Sequence, residues 1–245
     1  RQGASREALF FMPRMQKGLA AEFLIPLAVA AAITVALGAA GADLAVASYF
    51  YVPGAGWPHG NELPWDLLYR YGNIPAIVLA AISGAVFVLS FVIERFRRER
   101  MAALFIVVFL ALGPGLVVNT VFKDHWGRPR PADIVQFGGT DAYRPFWSPG
   151  QPGQGRSFPS GHAAIGFFLM APFFVLRRRA PRWARKALVA GILYGTLMGL
   201  ARMTQGGHFL TDIIWSGVLV YLSGLVLCSL FRLDREGVPA QVAAG

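Results

Sequence analysis

The charged residues of this chain stand in short clusters. Of the stretches between them, six are apolar windows without a single Asp, Glu, Lys or Arg: residues 23–42, 71–93, 101–122, 157–176, 187–201 and 213–231. A helix needs ~20 apolar residues to cross a hydrocarbon core of ~30 Å, and a single segment can do so only as a helix, because its backbone polar groups must be satisfied internally. Five windows meet or approach that length, and 187–201 does so only with Arg202 or its neighbours at the boundary. The expected fold is therefore all-α and polytopic, with six transmembrane helices. A composition 55% hydrophobic and 15% charged agrees. A soluble helical bundle would need amphipathic faces, which these runs lack.

The chain divides into a basic N-terminal segment (1–22), a six-helix membrane domain (23–231) and a short tail (232–245). In the first segment Arg1, Arg6, Arg14 and Lys17 surround Leu9, Phe10, Phe11 and Met12, which suits a helix lying on an anionic membrane surface. No short apolar region followed by a cleavage site precedes the first window, so that window is expected to remain as a membrane helix. The stretch 43–70 scatters Tyr49, Phe50, Tyr51, Trp57, Trp65 and Tyr69 among prolines and glycines, as an interfacial aromatic belt does. Gly113-Pro114-Gly115 marks a kink. Gly191, Gly195 and Gly199 put small residues on one helix face, where another helix can approach closely, within the chain or in another copy. The lone Cys228 permits no intrachain disulfide and no cysteine metal site.

The formal net charge of +10 is a statement about topology rather than about nucleic acid. Of the 23 Lys and Arg, 16 fall in the N-terminal segment, the turns after the second and fourth windows, and the tail. The positive-inside rule puts these, and both termini, in the cytoplasm. The polar clusters 123–131, 156–162 and 202–212 then share the opposite face.

That face gathers Lys123, Arg128, Arg130, Ser160, His162, Arg202, His208 and Asp212. So many charges at membrane helix ends point to a site. Lys123, Arg130 and Arg202 would bring three fixed positive charges to a dianion. Pro159 and Ser160 read as a helix start, with free amides and the positive dipole end beside His162, a place that attracts phosphate. His208 and Asp212, four apart, share a helix face; a carboxylate on one ring nitrogen fixes the tautomer and frees the other nitrogen to attack. Zinc on His162, His208 and Asp212 is disfavoured by three neighbouring cations, and neither metal nor other cofactor is expected.

These clusters, Lys123-Asp-His-Trp-Gly-Arg-Pro-Arg130-Pro131, Pro159-Ser160-Gly161-His162 and Arg202-Met-Thr-Gln-Gly-Gly-His208-Phe-Leu-Thr-Asp212, resemble in order and spacing the signature of the type-2 phosphatidic acid phosphatase family. The resemblance implies a metal-independent phosphatase with a phosphohistidine intermediate. By matching positions, Lys123, Arg130, Arg202, Ser160 and the Gly161 backbone bind phosphate, His162 is the general acid, His208 the nucleophile and Asp212 its orienting partner. Ala201 departs from the pattern, which has serine there. The first motif is most similar to the lipid A phosphatase branch, with undecaprenyl diphosphate and phosphatidylglycerol phosphate as other family substrates. The expected setting is a bacterial inner membrane with the site facing the periplasm, a phospholipid or lipid A-type partner and no nucleic acid; the oligomeric state is not legible. Two rival functions stay open. A phosphotransferase would pass the phosphoryl group to a second lipid, and a non-enzymatic lipid-binding or transport protein would not turn over.

Overall fold

The computed structural model describes residues 17–233. Residues 1–16 and 234–245, and with them the expected surface helix around Leu9 to Met12, lie outside the described residues. Among the described residues, five helical stretches are long and apolar enough to cross a membrane. They are α1 (Lys17–Ala39); α3 (Trp65–Tyr71) joined to α4 (Ile74–Leu89), after the short α2 (Ala42–Phe50); α5 (Arg100–Leu110) with its π-helical continuation Ala111–Phe122; α8 (Pro181–Thr204); and α9 (Leu210–Leu230). The sixth expected span is shorter. α6 (Gly161–Phe167), a 3-10 turn at Phe168–Met170 and α7 (Ala171–Leu176) make up Gly161–Leu176, which falls short of the ~20 residues of a full crossing. The window from 157 loses its first residues because Ser157 to Ser160 run as non-helical chain up to the Ser160 N-cap, whose side chain accepts from the Ala163 amide at 3.4 Å.

Other expected boundaries move for local reasons. The aromatic stretch 43–70 is not loop throughout: it contains α2, a 3-10 turn at Pro58–Asn61 and α3, so Asp43 sits on a helix. The window 187–201 is the middle of a 24-residue helix whose first turns carry Arg182, Arg185 and Lys186. Pro181 at the first helical position, where its missing N–H costs no hydrogen bond, starts that helix early. The expected kink at Pro114 takes the form of the π-helix. A wider turn accommodates the residue that cannot donate to the ladder.

α8 is the central strut. Between membrane helices no hydrophobic drive favours contact over lipid, so close backbone approach through small residues decides packing. A Cβ at Gly191 would lie 2.4 Å from the Met170 amide nitrogen, at Gly195 2.3 Å from the Phe167 ring, and at Gly199 2.3 Å from Ile213. The glycine face therefore seats α6, the following turn and α9 of the same chain. Cys228 is buried in the core with Phe105, Phe109 and Phe174. At the end of the bundle that carries the polar clusters, the long segment after Phe122 is pinned by aromatic rings. Trp126 stacks on Phe146 and meets Phe158, Phe146 stacks on Trp215 of α9, and Trp126 Nε1 donates to the Phe146 carbonyl at 3.0 Å. A second cluster of Ala47, Ile134, Phe137 and Phe209 ties α2 to that segment and to the start of α9.

Candidate active site

The three sequence clusters meet where the π-helix ends, α6 begins and α8 turns into α9. Lys123 follows the π-helix directly. Burial, then the charges of Arg130, Arg156 and Arg202, push it down to about 8. Lys123, Arg130 and Arg202 also all act electrostatically on His162, so the three cations and this histidine share one region. Gly161, the first residue of α6, lies so close to the π-helix that a Cβ would sit 2.4 Å from Asn119 Oδ1. The Ser160 amide donates to Ser216 Oγ at 2.8 Å, which fixes the α6 start against α9.

Arg202 is held on several sides. It donates to Gln205 Oε1, whose amide nitrogen reaches the Gly60 carbonyl at 3.0 Å, and its guanidinium lies 4.6 Å from the centroid of the Tyr69 ring. The same tyrosine stacks on His162, centroid to centroid 5.0 Å. Gly207 makes room for this placement, since a Cβ there would lie 2.5 Å from the guanidinium, and Gly206 takes the left-handed φ of +63° that turns the chain toward His208. Arg202 Nε is buried and without a hydrogen-bond partner among the described residues. An unmet buried donor costs about 1–3 kcal/mol, more when charged, and such atoms mark places built for an acceptor.

His208 is 2% exposed. Its Nδ1 lies 2.5 Å from the Ser157 carbonyl and 3.7 Å from Asp212 Oδ2. A carbonyl only accepts, so Nδ1 carries the proton and Nε2 the lone pair. Burial pushes His208 down to about 4 against the pull of Asp212, with Lys123 and Arg202 adding to the depression, so the ring is neutral at pH 7. Asp212 faces three donors instead: Ser157 Oγ at 2.6 Å and the Phe209 amide at 2.8 Å on Oδ2, and Arg128 at 2.6 Å on Oδ1.

All eight residues gathered on that face in the sequence thus converge, and three further contributors join them: Ser157, Tyr69 and Asp43. Ser157 presents both its carbonyl and its hydroxyl, Tyr69 lines His162 and Arg202, and the wholly buried Arg128 pairs with Asp43 at 2.7 Å. Asp43 offered one sequence signal, a lone acid beside a long apolar run, which needs a partner. Ala201, where the motif has serine, is fully buried, and its carbonyl accepts from Thr204 Oγ1 at 2.8 Å. Among the described residues no group of three or more His, Cys, Asp or Glu gathers as a metal site.

The profile of the PAP2 superfamily matches residues 102–235. Over 161 residues the chain is 41% identical to the lipid A 4′-phosphatase of Francisella tularensis subsp. novicida (strain U112), spanning 65% of this chain and 70% of that one. It is 35% identical over 186 residues to the lipid A 4′-phosphatase of Rhizobium leguminosarum, spanning 70% of this chain and 75% of the relative. The protein of that name from Rhizobium etli is 32% identical over 186 residues, spanning 70% and 68%. No solved structure matches the chain.

Proposed function

The chain belongs to the PAP2 superfamily, and on that footing we propose that it removes a phosphate from lipid A through a phosphohistidine on His208, without help from a metal ion. That it is a membrane enzyme hydrolysing a lipid phosphate monoester follows from the family match over 102–235 and from the relatives at 41% and 35% identity. Lipid A as substrate rests on what those relatives are called. The observation that carries the mechanism is His208: buried, neutral, with Nδ1–H held by the Ser157 carbonyl, it keeps its lone pair on Nε2 beside a set of cations.

In the first step Nε2 attacks phosphorus as the bond to the lipid oxygen breaks. The electron pair leaves on that oxygen, which takes a proton from His162. Lys123, Arg130, Arg202, the Ser160 hydroxyl and the Gly161 amide hold the equatorial oxygens, where charge is spread in the transition state. In the second step neutral His162 takes a proton from water, whose oxygen bonds to phosphorus as the P–N bond breaks and phosphate departs. Three cations already neutralise the phosphoryl group, so the scheme needs no divalent ion.

The charge bias puts both termini in the cytoplasm and the site at the periplasmic surface of a bacterial inner membrane, where a lipid phosphate headgroup lies. Cysteines placed in the 132–150 segment of intact cells should react with a membrane-impermeant thiol reagent, and those at 177–186 should not; the reverse pattern moves the site to the cytoplasmic leaflet. For the chemistry, the purified chain in vesicles should release inorganic phosphate from lipid A faster than from undecaprenyl diphosphate or phosphatidylglycerol phosphate. Release should survive EDTA and be blocked by vanadate, which imitates the pentacoordinate state. Loss of activity in EDTA with recovery on adding a divalent ion contradicts the metal-free scheme.

A further inference from the structure

Asp43 and Arg128 have no part in the scheme above, yet they form the most completely buried charge cluster at the site. Arg128 is 0% and Asp43 6% exposed. Arg128 donates to Asp43 Oδ2 at 2.7 Å, to Asp212 Oδ1 at 2.6 Å, to Thr211 Oγ1 at 2.9 Å and to the Arg144 carbonyl at 2.9 Å, and it lies 4.3 Å from the centroid of the Phe209 ring. Asp43 caps the start of α9 from another helix: its Oδ1 accepts the Thr211 amide at 2.9 Å and its Oδ2 the Thr211 hydroxyl at 2.6 Å. A tie between α2 and α9 does not need ions. Well-packed apolar residues of similar volume hold two elements together at least as well as a buried ion pair, whose desolvation offsets most of its attraction.

What the ions add is control of the residue at the end of the chain of contacts. Two carboxylates and one guanidinium leave one net negative charge. Arg128 fixes one oxygen of Asp212, and the other receives the Ser157 hydroxyl, whose own residue's carbonyl receives His208 Nδ1–H. We propose that Asp43 and Arg128 are positioning residues for catalysis: they hold Asp212 ionised and in one orientation, and through Ser157 they fix the tautomer and aim of His208. The proposal rests on His208 being the nucleophile.

The charged and titratable groups around His208 come from every neighbouring element. Asp212 lies in the first turn of α9, while His208 precedes that helix on non-helical chain, so the two do not share a helix face as the sequence spacing suggests. Lys123 and Arg128 lie on the segment after the π-helix, Arg202 on α8, and Asp43 on α2 behind Arg128; His162 of α6 and Arg130 share Lys123 and Arg202 as neighbours. Arg128→Gln changes this balance most simply. It leaves two carboxylates uncompensated, so an extra proton settles on His208 or on Asp212. Asp43→Asn combined with Arg128→Gln returns the cluster to one negative charge, with amides able to hydrogen-bond in place of the ions.

The test is the pH dependence of the phosphoenzyme burst, with the full chain in vesicles and lipid A carrying ³²P at its 4′-phosphate. Arg128→Gln should move the acid limb up by about one pH unit or more and slow the burst about tenfold or more at pH 7, one unit being tenfold in the protonation equilibrium. The double variant should bring the limb back to the wild-type position, and Arg128→Lys, which keeps the charge but not the fork, should leave the limb in place while slowing the burst. Equal limbs in wild type and Arg128→Gln, or a double variant no better than Arg128→Gln, show that the network is structural only and overturn the proposal. If Arg128→Gln does not fold, the other two variants decide: a limb away from the wild-type position in either overturns it. If wild type forms no phosphoenzyme, the reading of His208 fails first and takes this proposal with it.

Discussion

Two groups of charges lie side by side in this protein, and they are satisfied on opposite terms. In the network of Asp43, Arg128, Thr211, Asp212 and Ser157 the guanidinium donates from Nε and from both terminal nitrogens, and both carboxylates are fully engaged. In the neighbouring cradle, Lys123, Arg130 and Arg202 repel one another and Arg202 Nε is buried without a partner among the described residues. The difference separates two uses of charge. A charge that positions other groups is matched when the chain folds, because an unpaired ion in a dry interior is costly. A charge that serves a phosphate stays short of partners until the phosphate supplies them, and the strain of holding it is part of the binding energy.

Removing one arginine from each group should break the comparison open. Arg128→Met leaves two buried carboxylates without a counter-ion and should lower stability by about 3–5 kcal/mol, read as thermal unfolding of the solubilised protein. Arg202→Met removes a buried Nε that lacks a partner along with the Gln205 bond and the Tyr69 contact, so unfolding should change little while phosphate release falls ~10²–10³-fold, the usual loss for one preorganised transition-state donor. Equal destabilisation by both would mean that the two groups do not differ in kind.

A smaller effect sharpens the contrast within the cradle. Lys123 is charged below about 8 and loses its charge as pH rises through that value. In free enzyme, which kcat/KM reports, phosphate capture should therefore weaken on the alkaline side, about tenfold by one unit above the Lys123 value. Arginine stays protonated, so Lys123→Arg should flatten that limb at some cost in rate at neutral pH. An unchanged alkaline limb in Lys123→Arg would assign it to another group.

The cradle was legible in the sequence; of the network Arg128 and Asp212 were too, but their pairings with Asp43 and Ser157 were not, for a physical reason. Lys123 and Arg130, Ser160 to His162, and Arg202 with His208 each sit in a short motif at a helix end, where local spacing and capping chemistry reveal them. The Ser160 N-cap and the glycine face of α8 are local features of the same kind. Arg128 finds Asp43 85 residues away, and pairing at that range leaves no mark in a single sequence. Ser157 holds His208 through a backbone carbonyl, which any residue possesses. Tyr69 looked like one of several belt aromatics, and only the fold singles it out as the ring beside His162 and Arg202. Absence of charge does not reveal where a helix begins, so the charge-free window overstates the length of Gly161–Leu176, whose start is marked by the cap at Ser160.

The central claim is that His208 Nε2 carries the phosphoryl group while His162 serves the leaving oxygen. It is tested most directly by quenching the vesicle-bound enzyme during turnover of ³²P-labelled lipid A and of an activated aryl phosphate, and asking for acid-labile, base-stable label on the protein. Wild type should be labelled by both substrates and His208→Ala by neither. His162→Ala should label poorly from the lipid, whose alkoxide needs a proton, and well from the aryl ester, whose phenolate leaves without one. Label on His208→Ala, together with its absence from His162→Ala on the aryl ester, would exchange the two roles and contradict the account.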